Sequence, residues 1–352
     1  MLKLRPLRLL APALLAAAGF TLASTATGQP TISPSGAQKA CFKTIKRHGK
    51  RVRVRTPCPK PKSASTSTKA ITTAAAAARD GMIVFVSDRD GSDAIWGIVS
   101  GKPRELTHPD AVNGEDDSNP SFSTDGKHLI FIREAFDGSS NLWSANADGS
   151  NAHQLVANVF AASFSPDGTQ LAVIVPSANG DNALGLVPAS GDTPKVICDA
   201  NYGTIDSPAF SPDGKEVAYS DDGRGIVVAT LGSTVNCSAS LLGTIGSDNP
   251  SFGPDGTIAW DQPSDNGGFD IWIKRPNQPT QKIIADGSNN IDPVIAPAGD
   301  KLVFSSDNTG TGTQVFTANL DGSGITSLGD PQQFCTSGYC QGDSNPSWQP
   351  LR

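Results

Sequence analysis

From residue 80 onward, large hydrophobic residues recur at regular intervals, in short runs separated by turn residues. One column of these residues precedes a turn and contains Phe122, Phe164, Phe210, Phe252, Ile295 and Trp348. A second column contains Phe85, Phe131, Val173, Tyr219, Trp260 and Phe304. Neighbouring members of a column are 41 to 53 residues apart, and the two columns stay in step. This pattern predicts an internal repeat of about 40–45 residues.

The turn between the two columns favours a tight connection between strands. Its most complete form is Ser-Pro-Asp-Gly, at 165–168 and 211–214. Proline fixes φ at the second position of a type I turn, Asp suits the third, and Gly accepts the positive φ of a bulged hairpin. Each turn should therefore join an inner strand to a second strand. Pairs such as Ile95-Trp96 predict a third strand, and Asp-Gly-Ser turns such as 148–150 lead into a fourth.

Four short strands per repeat are what a propeller blade requires. Residues 80–352 number 273, which gives six blades of about 45 residues. The region begins at a second strand, near 83–86, and ends at a first strand, near 346–348. We therefore predict an all-β six-bladed β-propeller with four antiparallel strands per blade. The C-terminal strand should complete the N-terminal blade and so remove open sheet edges.

These motifs resemble a known family. The Ser-Pro-Asp-Gly turns, the Ile-Trp third strands and the segment Ser87-Asp88-Arg89-Asp90-Gly91 are similar to the WD40-like (PD40) repeats of TolB-like six-bladed propellers. The resemblance covers residues 80–352 and implies a secreted propeller with a binding role. TolB proteins carry an α/β domain before the propeller, whereas this chain has a short basic segment there. Blades three and four also lack the third-strand Trp, with Leu184-Gly185 and Ile226-Val227 instead.

Charge divides the chain at residue 80. All acidic residues lie from Asp80 onward, and 15 of the 28 Lys and Arg lie before it. Residues 1–79 thus carry +15, and residues 80–352 carry 13 − 34 = −21. Residues 1–26 combine three early basic residues, an apolar run over 9–23 and small residues after it, which is typical of a secretory signal peptide. We expect a secreted or extracytoplasmic chain associated with the cell envelope, without a transmembrane span once mature; an uncleaved N-terminal anchor is the alternative.

Residues 27–79 predict a basic linker rich in Ser, Thr, Pro and Ala. Within it, pairing residues whose numbers sum to 99 sets Cys41 opposite Cys58, with Gly49-Lys50 as the loop. This pairing predicts a disulfide-closed hairpin over 41–58, and the alternative is an unstructured basic tail. The basic residues of the hairpin include Lys46, Arg51, Arg53 and Arg55.

The linker's 15 − 3 = 12 positive charges suit three kinds of partner. Anionic cell-wall polymers or lipid headgroups would attract it and make it a tether, which is the interpretation that we favour. Nucleic acid is the second candidate, and the acidic propeller itself is the third. We expect no nucleic-acid partner, because an exported protein rarely meets nucleic acid and Phe42 is the one aromatic residue available for stacking.

Six cysteines in an exported chain predict three disulfides. We expect Cys41–Cys58 in the hairpin, Cys335–Cys340 in the long last repeat, and Cys198–Cys237 between the outer strands of consecutive blades. Because paired cysteines are not nucleophiles, these residues are expected to be structural.

The candidate binding residues lie just before the inner strands, where propeller side chains tend to face a central funnel. They are Asp117, Asn119, Asp206, Asp248, Asn249, Asp292, Asp343 and Asn345. A ring of carboxylate and amide oxygens suits Ca²⁺ or the Lys and Arg side chains of a peptide. The alternative is that these residues satisfy backbone amides in turns, as Asp and Asn often do. No cofactor is expected other than this calcium.

Enzyme chemistry has few candidate residues in this sequence. No Gly-x-Ser-x-Gly elbow or phosphate-binding glycine motif is present, and the four His residues are scattered and early. We therefore predict a non-enzymatic, monomeric propeller that binds a protein or peptide partner at its funnel. The first alternative is an extracellular carbohydrate lyase or hydrolase that uses acidic funnel residues and a bound divalent cation. A third possibility is a purely structural envelope protein with an empty funnel.

Overall fold

The computed structural model describes residues 41–47, 50–56, 80–89, 91–178, 180–199, 204–232, 234–308, 312–328, 335–336, 339–340 and 342–351. The chain divides into two compact units, Met1–Ala70 and Ile71–Arg352. Within the described ranges, no helix has the length and apolar character that crossing a membrane requires.

The described part of the first unit is a two-stranded antiparallel sheet of β1 (Cys41–Arg47) and β2 (Lys50–Thr56). Its register pairs Cys41 with Thr56 and Ile45 with Val52, so partner numbers sum to 97. The predicted sum of 99 is wrong: β2 already begins at Lys50, so the loop between the strands is not Gly49-Lys50. A slip of two keeps every residue on its predicted face. Cys58, and with it the Cys41–Cys58 bridge, lies outside the described residues.

The second unit consists of six four-stranded antiparallel sheets, the blades. Blade 1 contains β3 (Asp80–Ser87), β4 (Ala94–Val99) and β5 (Lys102–Glu105). Blade 2 contains β6 (Asp116–Phe122), β7 (His128–Glu134), β8 (Ser140–Asn146) and β9 (His153–Ala157). Blade 3 contains β10 (Ala161–Phe164), β11 (Gln170–Pro176), β12 (Asn182–Pro188) and β13 (Lys195–Asp199).

Blade 4 contains β14 (Ile205–Phe210), β15 (Glu216–Asp221), β16 (Gly225–Thr230) and β17 (Asn236–Leu242). Blade 5 contains β18 (Asp248–Phe252), β19 (Ile258–Pro263), β20 (Phe269–Lys274) and β21 (Thr280–Ile284). Blade 6 contains β22 (Asn290–Ile295), β23 (Lys301–Ser306), β24 (Gln314–Asn319) and β25 (Thr326–Ser327). A short pair, β26 (Cys335–Thr336) and β27 (Tyr339–Cys340), follows blade 6.

The last strand, β28 (Asp343–Pro350), closes the ring. It pairs antiparallel with β3, so blade 1 has the strand order β28-β3-β4-β5 and is built from both ends of the propeller sequence. The predicted fold class, blade number and closure are thereby confirmed. The innermost strands of the six blades are β28, β6, β10, β14, β18 and β22.

The two hydrophobic columns of the sequence form the core between blades. All six members of the second column lie on the second strands and are at most 2% exposed. Each core cluster combines residues from two successive blades; Val84 and Ile95 of blade 1, for example, pack with Phe131 of blade 2. The hydrophobic effect therefore stabilises the contacts between blades, and the circular arrangement follows from it.

The repeated turns have the geometry that their sequence predicts. At Ser165–Gly168, the Gly168 amide donates to the Ser165 carbonyl at 2.9 Å, and Gly168 has a φ of +72°. The Asp167 carboxylate accepts hydrogen bonds from Ser165 Oγ at 2.6 Å and from the Thr169 amide at 3.0 Å. These hydrogen bonds stabilise the ionised form, so the pKa of Asp167 lies below its usual value.

The predicted Cys198–Cys237 disulfide is confirmed. It joins β13 of blade 3 to β17 of blade 4, the outermost strands of consecutive blades, with their Cα atoms 5.7 Å apart. In the last repeat, the backbone register places Cys335 opposite Cys340. The side chains of these two cysteines lie outside the described part of the structure, and their bridge stays a prediction.

Removing the Cys198–Cys237 bridge should lower the free energy of unfolding by about 2–4 kcal/mol, because a cross-link over 39 residues restricts the unfolded chain. The measurement is chemical unfolding of a Cys198→Ala/Cys237→Ala variant beside the wild type, both without reductant. If this bridge accounts for most of the effect of reduction on stability, a reducing agent should lower the unfolding midpoint of the wild type and leave the midpoint of the variant unchanged. Equal midpoints for wild type and variant would contradict a stabilising role.

Candidate binding site at the tunnel mouth

The six innermost strands enclose a central tunnel with a cavity of about 390 Å³. In each blade, one residue is the first along its inner strand to line this tunnel, and we call the ring of these six residues the mouth. The mouth consists of Asn119, Ala161, Ser207, Asn249, Asp292 and Asn345. Further along the same strands, the lining becomes apolar and includes Phe164, Phe252 and Trp348.

Five of the six mouth residues adopt a left-handed backbone conformation, with φ between 44° and 55°; Ala161 is the exception. Each of the five interrupts the regular pairing of its inner strand with the second strand, which is a β-bulge. Asn and Asp tolerate positive φ better than other residues with side chains. The repeated Asn-Pro and Asp-Pro pairs are therefore explained first by backbone geometry. The same bulges place the side chains in the tunnel wall.

Hydrogen bonds join the mouth residues across blades 4, 5, 6 and 1. Ser207 Oγ donates to Asn249 Oδ1 at 2.9 Å, and Asn249 Nδ2 donates to Asp261 Oδ1 at 2.9 Å. The Asp292 amide donates to the same Asp261 oxygen at 3.0 Å.

Asp292 then extends this series of hydrogen bonds from blade 6 to blade 1. Its Oδ2 accepts from Ser305 Oγ and from the Asn345 amide, each at 3.1 Å. We call Ser207, Asn249, Asp261, Asp292 and Asn345 the polar arc.

The polar arc holds two carboxyl groups with altered acidity. Burial, with the nearby Asp292 carboxylate as a second cause, raises the pKa of Asp261 to about 8. Burial also raises the pKa of Asp292 to about 6. Because desolvation disfavours the charged form, a cation beside the arc would restore the ionised state of both groups.

Four of the eight predicted site residues lie in the mouth: Asn119, Asn249, Asp292 and Asn345. Asp206 and Asp248 lie one residue earlier, and each accepts a hydrogen bond from the next backbone amide, at 2.7 and 2.8 Å. Burial raises the pKa of Asp206 to about 6. These two residues therefore match the alternative in which the side chain satisfies a backbone amide.

Asp117 and Asp343 form ion pairs with arginines instead of lining the tunnel. Asp117 is fully buried and accepts from Arg133 at 2.6 and 2.8 Å, and Arg133 lies 4.6 Å from the Trp143 ring centre. Asp343 pairs with Arg89 at 2.7 Å, and Arg89 lies 4.6 Å from the ring centre of Trp96.

In these two blades, an arginine is thus held between an aspartate and the third-strand Trp. In blade 5, Lys282 on β21 makes similar contacts from other strands, 2.9 Å from Asp270 and 5.4 Å from the Trp272 ring centre, both on β20. Such contacts stabilise a blade through charge and cation–π attraction.

Blade 3 interrupts the polar mouth. It has Ala161-Ala162 where the other blades have Asn-Pro, Ser-Pro or Asp-Pro, and its inner strand pairs regularly without a bulge. The Asn119 side chain donates to the backbone carbonyl of Phe160 at 3.4 Å instead of to a neighbouring mouth side chain. The mouth is therefore polar on the side of blades 4, 5, 6 and 1 and apolar at blade 3.

No group of three or more His, Cys, Asp or Glu among the described residues is arranged to hold a metal ion. In the polar arc, the Asp261 and Asp292 oxygens with assigned partners accept from N–H and O–H groups. Calcium prefers six to eight oxygen ligands, so this donor set does not resemble a calcium cage. Calcium in the tunnel stays a prediction.

Known proteins share this fold. No family model matches the chain. A protein of Agrobacterium fabrum (strain C58), described as uncharacterized, is 28% identical over 201 residues, which cover 53% of this chain. The match covers 64% of that relative, so the chain spans less than two thirds of the relative's length.

Three solved structures are similar in fold. A putative TolB from Agrobacterium tumefaciens has a TM-score of 0.54 and 22% identity over 72% of this chain and 89% of its own. TolB from Acinetobacter baumannii has a TM-score of 0.62 and 16% identity over 77% of this chain and 67% of its own. A chain of a nidogen/laminin complex has a TM-score of 0.57 and 11% identity over 76% of this chain and 98% of its own. The chain thus has the six-bladed propeller fold of TolB-like proteins, as the resemblance of its repeats implied.

Proposed function

We propose that the chain is an extracytoplasmic, non-enzymatic binding protein that holds a basic peptide segment of a partner at the tunnel mouth. The polar arc carries this proposal, because it sets the Asp292 carboxyl group in the wall of a cavity of about 390 Å³ and holds a second carboxyl group, Asp261, directly behind it. Concave sites with an apolar lining and a few convergent polar groups are typical binding sites.

A cationic side chain fits the acidity of the arc. Desolvation raises the pKa of both Asp261 and Asp292. An ammonium or guanidinium group at the mouth would favour the ionised forms of both groups through its charge, and it would donate a charge-assisted hydrogen bond to Asp292, which lines the tunnel. The apolar side at Ala161 would contact the aliphatic part of the same side chain.

The extracytoplasmic location is supported by the Cys198–Cys237 disulfide, since structural disulfides persist in oxidising compartments. The signal-peptide pattern of residues 1–26 supports the same location. A tether of residues 27–79 to anionic cell-wall polymers or lipid headgroups stays part of the proposal and rests on the charge of that segment.

An enzyme is the second candidate, because carboxyl groups with raised pKa values are typical of acid–base catalysis. Asp261, which has the larger shift, is only 1% exposed and lies behind the Asn249 side chain and the Asp292 backbone. A general acid must reach the substrate directly or through one water molecule. The burial of Asp261 therefore favours binding over a lyase or hydrolase.

The proposal is tested with a blocked pentapeptide, Ala-Lys-Ala-Lys-Ala, and its Glu counterpart. We expect the Lys peptide to bind, with a change in intrinsic tryptophan fluorescence as the readout because Trp348, one of the five tryptophans, lines the tunnel. Asp292→Asn should weaken binding at least about tenfold, since a hydrogen bond to a charged group contributes about 1.5–3 kcal/mol. Asn suits the left-handed conformation, as Asn249 and Asn345 already show.

The matched control is Asp265→Asn, which removes the same charge from an exposed turn of blade 5. It should bind the Lys peptide like the wild type. Equal binding by wild type and Asp292→Asn, or equal binding of the Lys and Glu peptides, would contradict the proposed site.

A further inference from the structure

Val112 and Phe136 are the two most exposed large hydrophobic residues in the described part of the chain, at 95% and 89%. Both lie on the mouth side of the propeller. Glu134, which precedes the turn with Phe136, pairs with Asp116 at the start of β6. The connection that holds Val112 runs from β5 to this same point.

The turn between β7 and β8 does not explain Phe136. Its hydrogen bonds involve the other residues: Gly138 donates to Ala135, and Ser139 donates to Asp137. The equivalent second turn position holds Arg89 in blade 1, Ala178 in blade 3 and Asp265 in blade 5. An exposed aromatic residue there serves neither the turn nor the core.

The connection that holds Val112 is long and ordered. It spans the ten residues 106–115, whereas residues 243–247 and 285–289 connect the later blades with five each. The Asp110 carboxylate accepts hydrogen bonds from the Val112 amide at 2.9 Å and from the Asn113 side chain at 2.7 Å. Ordering this connection costs conformational entropy, although the side chain that it holds, Val112, is apolar and exposed to water.

The two connections form one surface. The Gly114 backbone lies against Phe136, close enough that a Cβ on Gly114 would be 3.2 Å from Phe136 Cβ. We call Asp110–Glu115 together with Ala135–Ser139 the rim surface.

Carboxylates surround the rim surface. They belong to Asp93, Asp110, Glu115, Asp116, Glu134 and Asp137. The one basic residue on these segments, Arg133, has a side chain only 11% exposed and is paired with Asp117 and Glu115. The surface thus combines exposed apolar groups with an excess of negative charge, of which Glu115 alone is paired with Arg133.

We propose that the rim surface docks a basic segment of a partner protein that places an apolar side chain against Val112 and Phe136. Exposed apolar groups within a charged border are typical of interaction sites, and complementary charge steers the encounter. Anionic headgroups would be repelled by the carboxylates. A second copy's propeller, at −21, would be repelled in the same way. A basic protein segment is the partner that satisfies both the charge and the apolar groups.

The test uses two blocked octapeptides, Lys-Lys-Leu-Lys-Lys-Leu-Lys-Lys and the same peptide with both Leu replaced by Ser. We expect the full chain to bind the Leu peptide at least tenfold more tightly than the Ser peptide. In a Val112→Ser/Phe136→Ser variant the two peptides should bind equally. These side chains support no core, so the variant should fold.

Two controls separate this surface from other sites. Leu241→Ser changes a residue that is 55% exposed on β17 and should keep the preference for Leu. Asp292→Asn, which tests the tunnel, should keep it as well, because the rim surface does not depend on the tunnel site. A preference that survives in Val112→Ser/Phe136→Ser, that disappears in Asp292→Asn, or that is absent from the wild type would overturn the proposal.

Discussion

A chain that lacks Asn345–Arg352 is expected to unfold at least about 15 °C below the full chain, because most of β28 is then missing from blade 1. Trp348, which is 8% exposed, packs with Phe85 and Trp96 of blade 1 and with Val303 of blade 6. The loss of a buried Trp alone costs about 3–5 kcal/mol. The deletion also leaves the inner edge of β3 unpaired.

The closing strand also contacts both neighbouring blades through polar groups. The Asn345 amide donates to Asp292 of blade 6, and Gln349 Nε2 donates to the Gly126 carbonyl of blade 2 at 2.7 Å. Gln349 Oε1 accepts from the Met82 amide of blade 1 at 3.0 Å. Because these contacts fix the last strand between three blades, the ring should lose cooperativity as well as stability without it.

The measurement is calorimetry on the deletion, on Trp348→Ala and on a chain shortened by Leu351-Arg352. Trp348→Ala should show a smaller decrease than the deletion. The two-residue truncation should melt like the full chain, since Leu351 is 46% exposed. A deletion variant that melts within a few degrees of the full chain would contradict ring closure by β28.

The fold was predictable because its determinants are local and repeated. The four residues of a turn such as Ser165–Gly168 determine its geometry by themselves. The repeat begins at a second strand and ends at a first strand, and this offset determines which strand closes the ring. The hairpin register was less well determined. Strands β1 and β2 alternate in the same way after a slip of two residues, so the face pattern alone did not distinguish a sum of 97 from one of 99.

The site was predictable in part. The Asn-Pro and Asp-Pro pairs marked the mouth, but the sequence does not separate a tunnel-lining residue such as Asp292 from Asp117, which pairs with an arginine. That distinction depends on contacts between distant residues; Arg89 and Asp343, for instance, are 254 positions apart. An arginine at the end of the second strand or just after it, together with a third-strand Trp, is a signal that would have located these pairs.

Asp261 had no sequence signal at all. Its equivalent positions on the second strands hold Val86, Ile132, Ser220 and Ser305. Its importance comes from the bulges, which turn the amide of a mouth residue toward the preceding blade. Ser220 accepts from the Asn249 amide in the same way that Asp261 accepts from Asp292. Blade 5 thus uses a carboxyl group where blade 4 uses a hydroxyl group.

This carboxyl group should make the wild type less stable as the pH rises. Asp261 has a pKa of about 8 in the folded chain against 3.8 for an unperturbed Asp side chain, and the pKa values of Asp206 and Asp292 are raised to about 6. Between pH 4 and 8 the folded state therefore binds more protons than the unfolded state, and stability falls by about 1.4 kcal/mol per pH unit for each extra proton. The contribution of these three groups to the free energy of unfolding is fully present below pH 4, and it is lost as the pH rises through their pKa values in the folded chain.

At low pH, other carboxyl groups make the chain less stable as the pH falls. Asp125 and Asp213 accept turn hydrogen bonds, and their pKa values are lowered to about 2, so their contribution is lost as the pH falls toward 2. The carboxyl groups with raised pKa values and those with lowered pKa values act in opposite directions, and together they place the maximum of stability near pH 4–5. The melting temperature should then fall by roughly 10 °C between pH 5 and pH 8, since 1 kcal/mol corresponds to about 2–4 °C in a chain of this size.

Asp261→Asn should remove most of the decrease between pH 6 and 8. The amide oxygen of Asn still accepts from Asn249 Nδ2 and from the Asp292 amide, so the variant keeps both hydrogen bonds of Oδ1 without a charge to desolvate. It should therefore be more stable than the wild type at pH 8 and similar to it at pH 5. Asp265→Asn is the matched control, because this exposed side chain should leave the pH profile unchanged. Parallel profiles for wild type and Asp261→Asn would mean that the carboxyl group of Asp261 is ionised in the folded chain throughout this range.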